Sequence, residues 1–228
     1  MVMNQAIDWQ GKMLGRYRMI KRLGRGGMGQ IWQAEDSDLR RLVAIKVLPS
    51  TLTSDANFLK AFAYEARTAA ALDHPHILAI HAYGEQRIAD DEVVTYLVMP
   101  HLEGGTLRDL MKREHYLTRD MAMNYLRQAA EAIDYAHSHQ VLHRDIKPAN
   151  MLVQGDWLYL SDFGIAKLLT SATYRSKTYA GSGTPEYMAP NKFRDRPSRQ
   201  VIAIAWLSQP IRFLRAQFPS EVIHPTIL

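Results

Sequence analysis

Apolar and polar positions over the first hundred residues recur mainly at strand spacing, interrupted once by a helical period. Residues 17–23 read as a strand entering a glycine-rich turn, Gly24-Arg25-Gly26-Gly27-Met28-Gly29. Ile31-Trp32-Gln33-Ala34 alternates like the strand that returns from it, residues 35–41 form a polar turn, and residues 42–48 are a third, β-branched strand. The opening is therefore an antiparallel meander. Ser54 or Asp55 then caps a helix running to about Leu72, with Phe58, Phe62, Ala66 and Ala69 at helical spacing and His74-Pro75 ending it. Two more strands follow, residues 77–83 and 93–99, around a polar loop containing Asp90 and Asp91.

Residues 100–105 read as a linker between a β-rich first lobe and a helical second one. Residues 107–113 form a short helix. Residues 118–139 form a longer one, on which Met121, Tyr125, Ala129, Ile133 and Ala136 trace an inward stripe of core packing. A hairpin is expected over 151–154 and 157–160 with its turn at Gly155-Asp156, and residues 165–187 form a long polar loop of the kind usually tied to function. Strands first and helices second predict an α+β fold of two lobes.

The 228 residues suffice for one moderate domain or two small lobes around a shared cleft. With no cysteine, disulfides, cysteine zinc sites and thiol catalysis are excluded, which is compatible with a reducing cytoplasm. The net charge of +5 is spread over scattered Lys and Arg without interleaved aromatics, so no nucleic-acid role is expected. The longest strongly apolar run, residues 201–207, is far shorter than the about 20 residues a bilayer requires. The first fifteen residues lack the apolar core of a secretory leader. A cytoplasmic chain with no membrane segment is expected.

The candidate chemistry lies in His143-Arg144-Asp145-Ile146-Lys147-Pro148-Ala149-Asn150 and, twelve residues after Asn150, Asp162-Phe163-Gly164. One carboxylate can orient a hydroxyl nucleophile while an amide and a second carboxylate hold Mg²⁺ on a nucleoside triphosphate. Gly24-x-Gly26-x-x-Gly29 alone is weak evidence, because the same pattern opens a dinucleotide fold. Here it leads into a strand rather than a helix, which suits a hairpin tip whose glycines let backbone approach phosphates. Lys46, between apolar residues on its strand, needs an anionic partner, and Glu65 on the following helix is the expected one.

This ordered set of motifs resembles a eukaryotic-like serine/threonine protein kinase of the bacterial type over about residues 15–193. The resemblance implies a kinase-like fold with an antiparallel-sheet N-lobe and an incomplete helical C-lobe. It divides the chain into an N-terminal extension (1–14), an N-lobe (15–99), a partial C-lobe (100–193) and a divergent tail (194–228). It further implies ATP and Mg²⁺ as cofactors and protein substrates with Ser or Thr acceptors, with a homodimer of N-lobes as a further partnership. Asp145 would take the hydroxyl proton, Lys147 would neutralise the γ-phosphoryl, and Asn150 with Asp162 would hold Mg²⁺. Gly24, Gly26, Gly27 and Gly29 would cover the phosphates. Ile31, Ala44 and Leu152 would sandwich adenine, Met99 would be the gatekeeper, and backbone groups around His101 and Leu102 would meet the adenine edge. His143 and Phe163 would stack in a packing column. Thr184 would touch Asp145 and Lys147, and Arg144 would pair with a phosphate on Thr173, Ser176, Thr178 or Ser182.

The pattern departs from the family at Ala189-Pro190-Asn191, where a glutamate is usual in the third position. Beyond about Gln200 the tail resembles no family helix, and Pro197, Pro210, Pro219 and Pro225 break it into pieces. A truncated or frame-altered C-terminal part is one reading, and a divergent, shortened family member is the other. If the helices that would bury the underside of the catalytic loop are missing, weak or no activity in isolation is expected, which keeps a non-enzymatic, nucleotide-binding remnant or pseudokinase as the alternative function.

Overall fold

Period-two alternation along three adjacent strands creates both the first core and the wall of a cleft. The protein is described by a computed structural model covering residues 7–26, 29–53, 55–89, 92–114 and 117–163. Strands β1 (Met13–Leu14), β2 (Tyr17–Gly26), β3 (Gly29–Asp36), β4 (Arg41–Val47), β5 (Ala82–Ala89) and β6 (Glu92–Pro100) form one antiparallel sheet ordered β1-β2-β3-β4-β6-β5. Trp32, Ala34, Val43, Ile45, Val47, Val94, Tyr96 and Val98 point to one face and build a buried cluster. Their chain neighbours Ile31, Gln33, Ala44, Lys46 and Met99 point to the other face. Trp9 and Leu14 also belong to the buried cluster, at 3% and 0% exposure, so residues ahead of β2 help close it.

Short helix α1 (Ser50–Thr53) precedes α2 (Ala56–Ala70). Of the two expected caps Asp55 is the one used, accepting hydrogen bonds from Asn57 N (2.8 Å) and Phe58 N (3.3 Å). Phe58, Phe62 and Ala66 bury against Leu48 and Leu97. Each large apolar side chain so buried contributes about 1.5–3 kcal/mol.

The strand expected over residues 77–83 is displaced. The edge strand is Ala82–Ala89, whose Glu85, Gln86 and Arg87 blur the apolar pattern that an interior strand would carry. Residues 76–78 pair with the second lobe instead: Leu160 N donates to His76 O (2.9 Å) and Leu78 N donates to Leu160 O (2.8 Å). Ile77 accordingly belongs to the second core rather than the first.

That second core joins helices α3 (Leu107–Glu114) and α4 (Arg119–Ser138) to the hairpin of β7 (Met151–Gln154) and β8 (Trp157–Leu160). Thr118 caps α4 by accepting from Met121 N. Tyr125, Ala129 and Ala136 are buried along the expected stripe, and Met121 and Ile133 are partly buried beside them. The described residues thus have the expected α+β organisation, a β-rich lobe followed by a helical one. Among them no helix is long and apolar enough to cross a membrane.

Candidate active site

A cleft of about 1100 Å³ opens between the sheet and the loop that precedes β7. Its sheet wall follows from register. Ile31 lies opposite Lys46, Gln33 opposite Ala44, Ala44 opposite Met99 and Lys46 opposite Leu97, so side chains on one face of neighbouring rungs become neighbours in space. Leu102 and Leu152 complete the apolar part from the linker and β7, so Ile31, Ala44, Met99, His101, Leu102 and Leu152 all line one cavity. His101 Nε2 is 3.2 Å from Gln33 Nε2, a donor in this orientation, so His101 accepts there and is neutral. Burial lowers its pKa, Lys21 acting in the same sense and Glu103 against it.

The glycines at the mouth differ in what the fold asks of them. Gly29 has φ +113, and a Cβ there would lie 2.0 Å from Val47 O, so glycine is a requirement of the sheet. A Cβ at Gly24 or Gly26 meets nothing within 4 Å among the described residues, and neither has positive φ. Their bareness leaves room for a ligand to reach the backbone. Gly27 lies outside the described residues.

Lys147, Asn150, Ser161 and Asp162 line the cavity opposite the sheet, and a hydrogen-bonded set centred on Asp145, which is 6% exposed, holds the first two. Lys147 Nζ lies 2.6 Å from Asp145 Oδ2. Asn150 Nδ2 donates to Asp145 O (2.7 Å) and Asp145 Oδ2 (3.0 Å), which commits its two N–H groups and leaves the amide oxygen for a cation. His143 Nε2 donates to Ser161 O (2.8 Å), and its Nδ1 accepts from Asp145 N (3.3 Å). Those partners fix one neutral tautomer, and burial lowers the His143 pKa despite nearby Asp162 and Asp145. The His143 and Phe163 rings, which the resemblance implied would stack, are in contact with centroids 4.6 Å apart but are tilted by 55°.

Ser161 is a residue that motif reading passed over. It accepts from His143, while its backbone N–H (2.9 Å) and hydroxyl (3.1 Å) donate to Asn150 O. One small residue thereby ties His143, Asn150 and Asp162 together. The signal available was only its position directly before Asp162. Arg144 and Asp162 both have left-handed backbone, at φ +68 and +64, which is unusual outside glycine.

The partner expected for Lys46 is corrected. Lys46 Nζ lies 2.7 Å from Asp162 Oδ1, and Glu65 makes no ion pair among the described residues. A lysine at 3% exposure requires a carboxylate, and Asp162 supplies it from across the cleft. Thr173, Ser176, Thr178, Ser182, Thr184 and the tail after Gln200 lie outside the described residues.

The donor set is one amide oxygen and one carboxylate, both hard oxygen ligands. Among the described residues no group of three or more His, Cys, Asp or Glu side chains could enclose a metal. Such a pair suits Mg²⁺, which keeps waters and substrate phosphates in its shell rather than an all-protein cage. Lys46 adds fixed positive charge, and the open backbone at Gly24 and Gly26 adds room for phosphate oxygens.

Comparison with known proteins agrees with this geometry. The family model described as the protein kinase domain matches residues 17–205. The serine/threonine-protein kinase PknA of Mycobacterium tuberculosis is 40% identical over 179 residues, 78% of this chain and 41% of PknA. PknD of the same organism is 39% identical over 192 residues, 84% of this chain and 28% of PknD. The chain thus spans well under half the length of these relatives. A crystal structure of the Mycobacterium tuberculosis PknI kinase domain superposes with a TM-score of 0.68 at 26% identity, covering 96% of this chain and 80% of that one. Another PknI kinase-domain structure gives 0.59 at 30% identity over 71% and 64%. The chain belongs to the protein kinase family.

Proposed function

We propose that this chain is a serine/threonine protein kinase that transfers the γ-phosphoryl group of ATP to hydroxyls of protein substrates. One observation carries the reading. Asp145, Lys147 and Asn150 form a single hydrogen-bonded set, of which Lys147 and Asn150 line the same cavity as the Lys46–Asp162 pair. The printed names of the relatives at 39–40% identity support the Ser/Thr class.

Ile31, Ala44 and Leu152 enclose adenine, with backbone groups around His101 and Leu102 at its edge and Met99 at the back. Lys46 attracts the α- and β-phosphates, and the bare backbone at Gly24 and Gly26 covers them. Asn150 and Asp162 hold Mg²⁺, which when bound neutralises charge on the phosphate oxygens. Asp145 orients the acceptor hydroxyl and takes its proton. Lys147, already 2.6 Å from that carboxylate, stabilises the charge of the transferring group. Thr184 at the acceptor site, and Thr173, Ser176, Thr178 or Ser182 as phosphorylated partners of Arg144, belong to the same reading.

A thermal-shift assay tests the nucleotide half of the proposal. ATP with Mg²⁺ at about a hundredfold excess over Kd stabilises the fold by about 3 kcal/mol. ATP without Mg²⁺ stabilises it less, and Lys46→Met loses most of the effect. An ATP shift that ignores both Mg²⁺ and Lys46 would sink the reading.

A further inference from the structure

The metal-side residues Asn150 and Asp162 flank a hairpin that is too small to hold its own shape. Strands β7 and β8 have four residues each, and an isolated two-stranded hairpin is marginal in water. Asn150 immediately precedes β7, and Asp162 follows two residues after β8 ends. The separation of these two groups is therefore set by the Ser161 bonds to Asn150 O at the open end together with whatever holds the hairpin.

Backbone bonds hold its strands, from Leu160 to His76 and Leu78 and from Val153 to Gly105, and helix α4 holds its turn through a polar residue on the helix's buried side. Gln128 is 3% exposed, its Nε2 donates to Asp156 O (2.7 Å), and its Oε1 accepts from Leu158 N (2.7 Å). Both ends of one amide are used on the turn and first residues of β8. Asn124 Nδ2 also donates to Asp156 O (2.8 Å), and Tyr125 OH donates to Gly155 O (2.8 Å). On the same edge His76 Nδ1 donates to Leu158 O (3.1 Å), so both outward backbone groups of Leu158 are held by side chains. A buried amide with donor and acceptor both matched is costly to replace by any group that can do only one.

We propose that Gln128 is a positioning residue for the metal site: by clamping the β7–β8 turn to α4 it fixes the spacing of Asn150 and Asp162 at the hairpin's open end. This role rests on the phosphoryl-transfer reading, because it is expressed through Mg²⁺. Groups bonded directly to metal ligands typically change metal affinity by about 10–100-fold when removed, and Gln128, which acts through the hairpin rather than on a ligand, is placed at the low end of that range.

The test uses the full chain and measures ATP binding by calorimetry, without Mg²⁺ and across a Mg²⁺ titration. Gln128→Met fills the same space without either hydrogen-bonding group. It is expected to raise the Mg²⁺ midpoint about tenfold while leaving Mg²⁺-free ATP affinity within about twofold. Gln128→Glu gives a second readout should Gln128→Met fold poorly. A protonated glutamic acid can donate to Asp156 O and accept from Leu158 N, whereas the carboxylate cannot donate. Its Mg²⁺ midpoint should approach the parent's at pH 6 and rise about tenfold above it at pH 8. A stability-only role would lower melting temperature yet leave the midpoint and its pH dependence alone, and that outcome overturns the proposal. So does parallel weakening of ATP binding with and without Mg²⁺. A parent chain that binds ATP no better with Mg²⁺ overturns the phosphoryl-transfer reading as well. A Mg²⁺-responsive parent with unshifted variants overturns the role of Gln128 alone.

Discussion

Lys46 on β4 and Asp162 beyond β8 meet at 2.7 Å, joining the sheet lobe to the helical lobe across the cleft. Their exposures, 3% and 16%, place the pair where solvent screens it weakly. The two partners have different duties toward a nucleotide, and substitution separates them. Asp162→Asn is expected to abolish the benefit of Mg²⁺ to ATP binding, while Lys46→Met weakens ATP at least tenfold both with and without Mg²⁺. Removing the counter-charge of a buried lysine also costs about 1–3 kcal/mol, so Asp162→Asn should melt earlier than the parent. Calorimetry with and without a chelator, together with melting curves, checks both statements.

The two kinds of glycine at the cleft mouth predict opposite phenotypes. Gly24→Val puts a β-former into β2 where a Cβ meets nothing within 4 Å, so stability should hold while ATP affinity falls. Gly29→Ala forces a side chain to φ +113 and against Val47 O, and should cost about 1–3 kcal/mol. Denaturant unfolding and ATP titration of both variants would expose an error if Gly24→Val unfolds readily or binds ATP like the parent.

Acid should destabilise the fold through His143. Burial depresses its pKa in the folded state, so the unfolded chain takes up the proton first as pH falls. The contribution is complete above about pH 6.5, the unfolded value. It declines below that, by at most about 1.4 kcal/mol per pH unit, until the lower folded pKa is reached. His74, His81 and His101 are depressed as well and add to the slope. Unfolding free energies between pH 7.5 and 5 should therefore be less steep for His143→Asn than for the parent. Equal slopes would contradict the neutral tautomer described for His143.

Much of this arrangement was legible because its signals are contiguous. The glycine turn, the β4 lysine and the His143–Asn150 segment are short runs whose residue types carry their own chemistry. The cleft-facing residues Ile31 and Ala44 came from the family resemblance, and the alternation along β3 and β4 is consistent with their sharing a face. What escaped was set by contacts between distant segments. The edge strand β5 exposes polar residues, so its position blurred, and Ile77 was drawn to β8 by backbone bonds that no local pattern announces. Lys46 needed a carboxylate, but burial alone could not choose between Glu65 and Asp162. Gln128 was hidden for a related reason, being polar on a stripe read by its apolar members. Its position three residues after Tyr125 was the available clue.

The most direct test of the account is phosphoryl transfer itself. With γ-labelled ATP, Mg²⁺ and a generic Ser/Thr-containing protein, label should appear on serine or threonine. Asp145→Asn should reduce the rate by about 10²–10⁴-fold while binding ATP normally. Mg²⁺-dependent transfer that Asp145→Asn leaves unchanged would contradict it.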